Sequence, residues 1–335
     1  MWPINGASKA KRIKWDAEQN QISWAYMKML RETDKTVKIY PVNPYVEVYR
    51  FRDNMYGLFN QNCDGMGDVW MYIIIGPEKA MVIDTAYGLG NLRGLVDEIT
   101  GGMPLVVANT HTGPDHVLGN VHFETVYCHE YEIENVRNKC RPGAWDYLID
   151  KNGNNIWLQF DKKDLPVYKD YNLIPVPDGH IFNLGGDYNV EMAWTGGHAP
   201  GHVMFLDKKG RNLFAGDDIC SDIIGCGGGP RPNSVNSEYY SNLSTYRDCL
   251  ERLVKRLDEF DYIFPGHFMV NLENHLLLNV LETLNAIIKD PDCYDYKVER
   301  VSAQGGRTLR MHKYIKGFGT IAYTENGVYP SGTKT

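Results

Sequence analysis

The segment Thr110-His111-Thr112-Gly113-Pro114-Asp115-His116 sets two imidazoles and a carboxylate within six positions, directly behind the apolar run Pro104-Leu105-Val106-Val107-Ala108. Imidazole and carboxylate together suit Zn²⁺, and also Fe or Mn. A loop at the end of a buried strand is where a rigid sheet presents such groups. Taken alone, the heptapeptide also reads as a polar turn in which Asp115 caps the following helix. Three more segments repeat the arrangement. Thr195-Gly196-Gly197-His198-Ala199-Pro200-Gly201-His202, Leu213-Phe214-Ala215-Gly216-Asp217-Asp218 and Ile263-Phe264-Pro265-Gly266-His267 each put a His or Asp behind a hydrophobic strand and beside a glycine. Glycine lets the backbone come close. The ligand set read from these segments is His111, Asp115, His116, His198, Asp217 and His267, with Asp115 and Asp217 also placed to orient a water and pass on its proton.

Strands must present these groups. A helix is expected over 16–33, strands over 37–60, and a loop at Cys63 to Asp68. Two nearly continuous apolar strands follow, around 69–76 and 79–86, joined by the turn Gly76-Pro77-Glu78-Lys79. Such runs are buried on both faces. An amphipathic helix over 89–100 stops at Gly101-Gly102, and the next strand leads into His111. Beyond a broken helical stretch at 129–150 come short strands, a long helix over 235–258, the strand Tyr262-Ile263-Phe264-Pro265, a helix over 271–289 and two or three terminal strands. The order suggests two sheets packed face to face with helices outside. The expected organisation is an N-terminal helical and extended segment over 1–45, a catalytic domain over 46–290, and a β-rich appendage over 291–335 that packs on the same domain.

Four motifs in this order resemble the metallo-β-lactamase superfamily, whose members include glyoxalase II-like thioesterases and lactonases. The likeness runs from about residue 50 to 290. His111, Gly113, Asp115 and His116 match its H-x-H-x-D-H motif, His198 its G-H-x-P-G turn, Asp217 its Gly-Asp, and His267 its final Gly-His. Asp84, in Val82-Ile83-Asp84-Thr85, resembles the family's buried supporting carboxylate. The resemblance implies a four-layer αββα sandwich of the α/β class and one or two divalent metal ions, zinc first. It also implies hydrolysis of a small ester, lactone, thioester or amide by a metal-activated water.

One position departs from the pattern, because Gly113 stands where the family has its second histidine. In the usual arrangement the first metal takes both early histidines and the residue matched by His198. The second takes those matched by Asp115, His116 and His267, and Asp217 bridges. The expected centre is therefore asymmetric, with a weak first site. His202, His122 and Cys220 are candidate replacements, each with a competing reading as a packed structural residue. His129, His180, His275 and His312 belong to no motif. The altered motif keeps two rivals open: an iron-dependent oxidoreductase of the same fold, persulfide dioxygenase-like, and a non-catalytic family member.

Composition narrows the partners. A net charge of −7 argues against a nucleic-acid backbone as ligand. The basic positions Lys9, Lys11 and Arg12 read as a solvated tail. No apolar run approaches the about 20 residues of a membrane helix, and nothing after the first residues reads as a secretory signal. Seven cysteines in scattered contexts form no CxxC pair, which fits a reducing, cytoplasmic setting. A small-molecule substrate is expected, with neither nucleic acid nor membrane as partner. The terminal strands would cover a pocket or make a homodimer interface. The loop at 62–68 should overhang the site with Cys63, Asp64, Met66 and Trp70, and the loop at 221–233 should be a mobile wall. No G-x-S-x-G, P-loop or dinucleotide fingerprint competes.

Overall fold

The computed structural model describes residues 8–16, 21–301 and 307–332. They fall into two compact units. The first runs to Cys128 and also takes Val136–Val176 and Ile181–Val190; the second takes His129–Asn135, Pro177–His180 and the chain from Glu191 onward.

The first unit is built on an eight-stranded sheet in the order Asn172–Val176, Thr125–His129, Leu105–Ala108, Ala80–Ile83, Val69–Ile75, Met55–Asn60, Asn43–Arg52, Lys38–Tyr40. Pairing is antiparallel from Lys38–Tyr40 to Ala80–Ile83 and parallel from there through Leu105–Ala108 to Thr125–His129. The central strands show why the sequence lacks an apolar–polar alternation: six of the seven residues of Val69–Ile75 and all four of Ala80–Ile83 are buried. The helix Leu92–Thr100 begins where the Asn91 side chain accepts from Gly94 N–H and ends at Gly101 in the left-handed conformation, φ 68°. Its Leu92, Leu95 and Val96 join Val46, Val48, Val69 and Met71 in one core. Each such side chain contributes about 1.5–3 kcal/mol by leaving water.

Two expectations fail in this unit. Trp70 does not line a pocket. It is fully buried, with ring centroids 5.4 Å from Tyr49 and 5.0 Å from Phe59, because it alternates into the aromatic face of its strand. The basic positions near the start are not a free tail either. Arg12 donates to Asn62 O at 2.6 Å and to Asp68 Oδ1 at 2.7 Å, and Lys9 Nζ pairs with Asp164 Oδ2 at 3.0 Å.

In the second unit, Val203–Asp207 pairs antiparallel with Asn212–Gly216, which pairs parallel with Tyr262–Pro265 and that antiparallel with Leu272–Glu273. The register shifts between Phe214 and Gly216, and Gly216 has φ 51°. A bulge of this kind re-aims the next side chain, here Asp217. The helices Leu243–Val254 and Leu276–Lys289 bury Leu250, Leu253, Val280 and Leu284 in a core with Leu213 and Ile263.

The long helix expected over 235–258 is broken. Ser237–Tyr240 is a single turn, and Leu243–Val254 starts afresh behind Asn242, whose extended backbone and side chain cap Thr245 N–H at 2.9 Å. The loop at 221–233 is also not a wholly free wall. Ile223–Gly225 is a strand, paired parallel with Gly319–Tyr323 in a four-stranded sheet with Arg307–Ile315 and Tyr296–Val301. Among the described residues, no helix is long and apolar enough to cross a membrane.

His129 gives this unit a pH signature. It is buried against Trp194, centroids 5.8 Å apart, and its Nδ1 accepts Tyr131 N–H at 3.3 Å. Burial pushes it down to about 4. Below the ordinary value near 6.5 the unfolded chain takes a proton that the folded protein refuses. Stability is therefore complete above about pH 6.5 and falls with acidification toward pH 4. Urea unfolding should lose about 2 kcal/mol from this group between pH 7 and pH 5. His129→Gln should flatten that slope, and an unchanged slope would contradict the assignment.

Candidate metal centre

The first unit builds its ligands around Asp84. This residue follows the strand Ala80–Ile83, is 1% exposed, and holds φ at 61°. A non-glycine residue in that region costs on the order of 1–3 kcal/mol. The bend is held by use: Oδ1 accepts Thr110 N–H at 2.7 Å, and Oδ2 accepts Thr110 Oγ1 at 2.7 Å and His116 Nδ1 at 2.8 Å. A buried carboxylate is tolerable only when its lone pairs are satisfied in this way.

These bonds set the histidine tautomers. His116 Nδ1 carries the proton given to Asp84, which makes Nε2 the basic nitrogen, 3.8 Å from Asp115 Oδ1. Thr110 Oγ1 donates to Asp84 and so accepts from His111 Nδ1 at 3.1 Å, which leaves His111 Nε2 as the base. The two rings lie 4.2 Å apart between centroids. The backbone of His116 is fixed too, its carbonyl accepting from Thr85 N–H at 2.9 Å and Asn109 Nδ2 at 3.1 Å. Asp115 Oδ2 accepts Asn62 Nδ2 at 3.0 Å, so the loop at 62–68 does reach the motif, through Asn62.

Sequence reasoning missed the tyrosines beside that loop. Tyr147 Oη lies 3.3 Å from Tyr87 Oη and 3.4 Å from Asp64 Oδ2. Burial, with the nearby Asp115 charge, raises Asp64 above the usual carboxylate range. No local motif marks Tyr87 or Tyr147; the chain fold brings them there.

The second unit repeats the design around Asp218. This carboxylate is fully buried. Its Oδ2 meets His202 Nδ1 at 2.8 Å and takes the Thr195 hydroxyl, while Oδ1 accepts His198 N–H at 3.2 Å. His198 Nδ1 donates to Gly225 O at 2.7 Å, so its Nε2 is the basic nitrogen and stands 3.7 Å from Asp217 Oδ2. His267 Nε2 stands 3.3 Å from Asp217 Oδ1. Burial pushes His198 down to about 4, which keeps its lone pair available at neutral pH.

His202 differs from its neighbour. Nδ1 is bound to Asp218, and Nε2 accepts Asp217 N–H at 3.0 Å, so both nitrogens are spent on scaffold. His122 turns Nε2 to Gly88 O at 2.7 Å, and Cys220 is a buried thiol whose pKa burial raises far above its ordinary value. Within each unit, then, the expected ligands are together: His111, Asp115 and His116 in the first, His198, Asp217 and His267 in the second. Imidazoles beside carboxylates, with Nδ1 committed to an oxygen in His111, His116 and His198, are the donor chemistry a divalent metal needs, so the residues fit the group. Asp218 is the residue the sequence reading passed over, although it sits directly beside Asp217.

Gly113 has ordinary extended backbone, φ −89° and ψ 142°. Its lack of a side chain answers to space instead. A Cβ there would lie 2.7 Å from His116 Cδ2, 2.8 Å from Asp115 Oδ1 and 3.1 Å from His111 Nε2.

The sequence profile of the metallo-beta-lactamase superfamily matches residues 64–267. That is well over half of the chain and contains every segment of the expected site, so the chain belongs to the metallo-beta-lactamase superfamily. Among its relatives is the Acyl-coenzyme A thioesterase MBLAC2 of Gallus gallus, 24% identical over 216 residues that cover 59% of this chain and 72% of that one. Among solved structures, the metallo-beta-lactamase from Pontibacter korlensis aligns with a TM-score of 0.51 at 17% identity, covering 72% of this chain and 99% of that one. The α/β class read from the sequence is the one found, and the fold family implies a divalent metal.

Two substitutions test this account. Asp84→Ala should strand the His116 Nδ1 proton and lower metal affinity about 10- to 100-fold; equilibrium dialysis against a chelator reads it, and unaltered affinity would remove Asp84 from its supporting role. Gly113→His should lower the melting temperature, because His116 is clamped by Asp84 and cannot yield freely. An unshifted melt with extra bound metal would instead show that the motif accepts its missing histidine.

Proposed function

We propose that this protein is a metal-dependent hydrolase whose ligands are His111, Asp115, His116, His198, Asp217 and His267, with zinc as the first candidate and Fe or Mn as alternatives. The carrying observation is the division of labour among histidines. His111, His116 and His198 each commit Nδ1 to an oxygen, which makes Nε2 the basic nitrogen, and His116 and His198 hold Nε2 3.8 Å from Asp115 Oδ1 and 3.7 Å from Asp217 Oδ2; His202 instead puts both nitrogens on scaffold groups.

When bound, a divalent cation supplies Lewis acidity, which makes water nucleophilic near neutral pH and draws charge from an acyl oxygen. The chain supplies the rest. Asp115 is held through Oδ2 by Asn62 and is the first carboxylate placed to orient a water and take its proton. Asp217, aimed by the bulge at Gly216 and by its own N–H on His202, is the second carboxylate placed to hold that proton or return it to the leaving group. Gly113 makes the first metal position the weaker one.

The substrate class is a small ester, lactone, thioester or amide. The chicken relative named as an acyl-coenzyme A thioesterase puts thioesters first. A cytoplasmic setting accords with seven cysteines that are all free thiols.

The first test is elemental analysis of protein purified without added metal, paired with thioester hydrolysis before and after chelation. The expected result is about one zinc per chain, with activity lost on chelation and restored by zinc. Iron as the native metal would move the reading to the iron-dependent oxidoreductase of this fold. Absence of any bound metal would overturn it.

A further inference from the structure

We propose that Arg12 is a positioning residue for the metal centre: it fixes the main chain at Asn62, and Asn62 in turn fixes the carboxylate of Asp115. The inference rests on the reading of Asp115 as a metal ligand given above.

The link runs atom by atom. Arg12 Nη1 donates to Asn62 O at 2.6 Å, and Nη2 donates to Asp68 Oδ1 at 2.7 Å. The same Asp68 oxygen accepts Asn62 N–H at 2.8 Å. One guanidinium and one carboxylate thus grip the peptide groups on either side of the Asn62 Cα and hold its backbone in place. The side-chain amide is oriented as well. Asn62 Oδ1 accepts Asp64 N–H at 2.9 Å, so Nδ2 is the atom turned to Asp115 Oδ2, 3.0 Å away. A backbone N–H needs the amide oxygen and a carboxylate needs the amide nitrogen, so only one orientation satisfies both. The backbone N–H, the carbonyl and both side-chain polar atoms of Asn62 each have a partner, as its complete burial demands.

Arg12 is itself held by its segment. Lys11–Arg12 pairs antiparallel with Leu158–Gln159, Ile13 N–H donates to Trp157 O at 2.9 Å, and Asp16 N–H donates to Gly65 O at 2.9 Å. The guanidinium lies over the Trp15 ring, 3.9 Å from its centroid. The segment therefore runs along the loop at 62–68 and is bonded to it at Asn62, Gly65 and Asp68. The Arg12 and Asp68 side chains are only 13% and 21% exposed, so removing one partner leaves the other poorly compensated. A planar guanidinium meets the carbonyl and the carboxylate with separate nitrogens, a geometry that one ammonium does not reproduce. Arg12 and Asn62 both precede residues 64–267, so the link is built from chain outside the stretch that the superfamily profile matches. The competing account, in which Arg12 only ties its segment to the loop, predicts lost stability with metal affinity unchanged.

The test is a double-mutant cycle on Zn²⁺ affinity, read by competition with a chromophoric chelator on folded protein. Asn62→Ser keeps an oxygen for Asp64 N–H but withdraws the donor from Asp115, and it should weaken zinc binding about tenfold. Arg12→Ala should weaken it by a similar factor. If Arg12 acts through Asn62, the double variant should also lose about tenfold, not the roughly hundredfold of independent effects. Arg12→Lys should recover part of the loss. Lys9→Ala cuts the segment's bond to Asp164 and should leave zinc affinity where it was, whatever it does to the melting temperature. Where Arg12→Ala does not fold, Arg12→Gln takes its place in the cycle. Additive losses in the double variant, or unchanged affinity in either single variant, would overturn the proposal with the metal reading intact. A wild type that takes up no zinc, iron or manganese would instead remove Asp115 as a ligand, and the inference with it.

Discussion

A carboxylate buried out of water is the constraint on which the first unit's chemistry depends. Asp84 has almost no exposure, and an isolated charge there would cost far more than a domain's whole stability margin. It persists because three donors from the segment Thr110 to His116 close on it. The same bonds fix where that segment lies, which way the His116 ring turns and which of its nitrogens is bare. A strained backbone at Asp84 is the cost of bringing the carboxylate to this place at the strand end. Asp218 imposes the same logic on its own unit, where it holds His202, Thr195 and the backbone of His198.

The logic explains why two histidines four positions apart have different fates. His198 and His202 belong to one turn and have similar neighbours in sequence. His202 is surrounded by a carboxylate on one side and an amide N–H on the other, so its ring is consumed by the scaffold. His198 gives Nδ1 to a carbonyl, and that carbonyl comes from Gly225, far along the chain. Its Nε2 is turned instead to Asp217 Oδ2, 3.7 Å away.

What the sequence made legible follows from what is local. Strand ends followed by Gly with His or Asp can be read because hydrophobic runs and glycines are adjacent in the chain, and Asp84 could be read by its place after Val82-Ile83. Non-local pairing could not. The strand Ile223–Gly225 is three residues long and looks like part of a glycine-rich loop until Gly319–Tyr323 is laid beside it. Tyr87 and Tyr147 meet Asp64 only through the fold. The break at Asn242 was hidden for a different reason: the helical period carries through it, and only the extended backbone at the cap interrupts the helix.

Gly113 joins the sequence departure to the packing. Its backbone would accept any residue, so no turn geometry demands glycine. The demand comes from the neighbours: the space that a side chain would enter is already bounded by His116, Asp115 and His111. Of these, His116 is the least able to move, since Asp84 grips its ring and Thr85 and Asn109 grip its carbonyl. Close packing transmits such rigidity, and a displaced neighbour costs more than a missing contact when it is already hydrogen-bonded on two sides. The absent histidine and the tight clamp on His116 are thus two aspects of one arrangement.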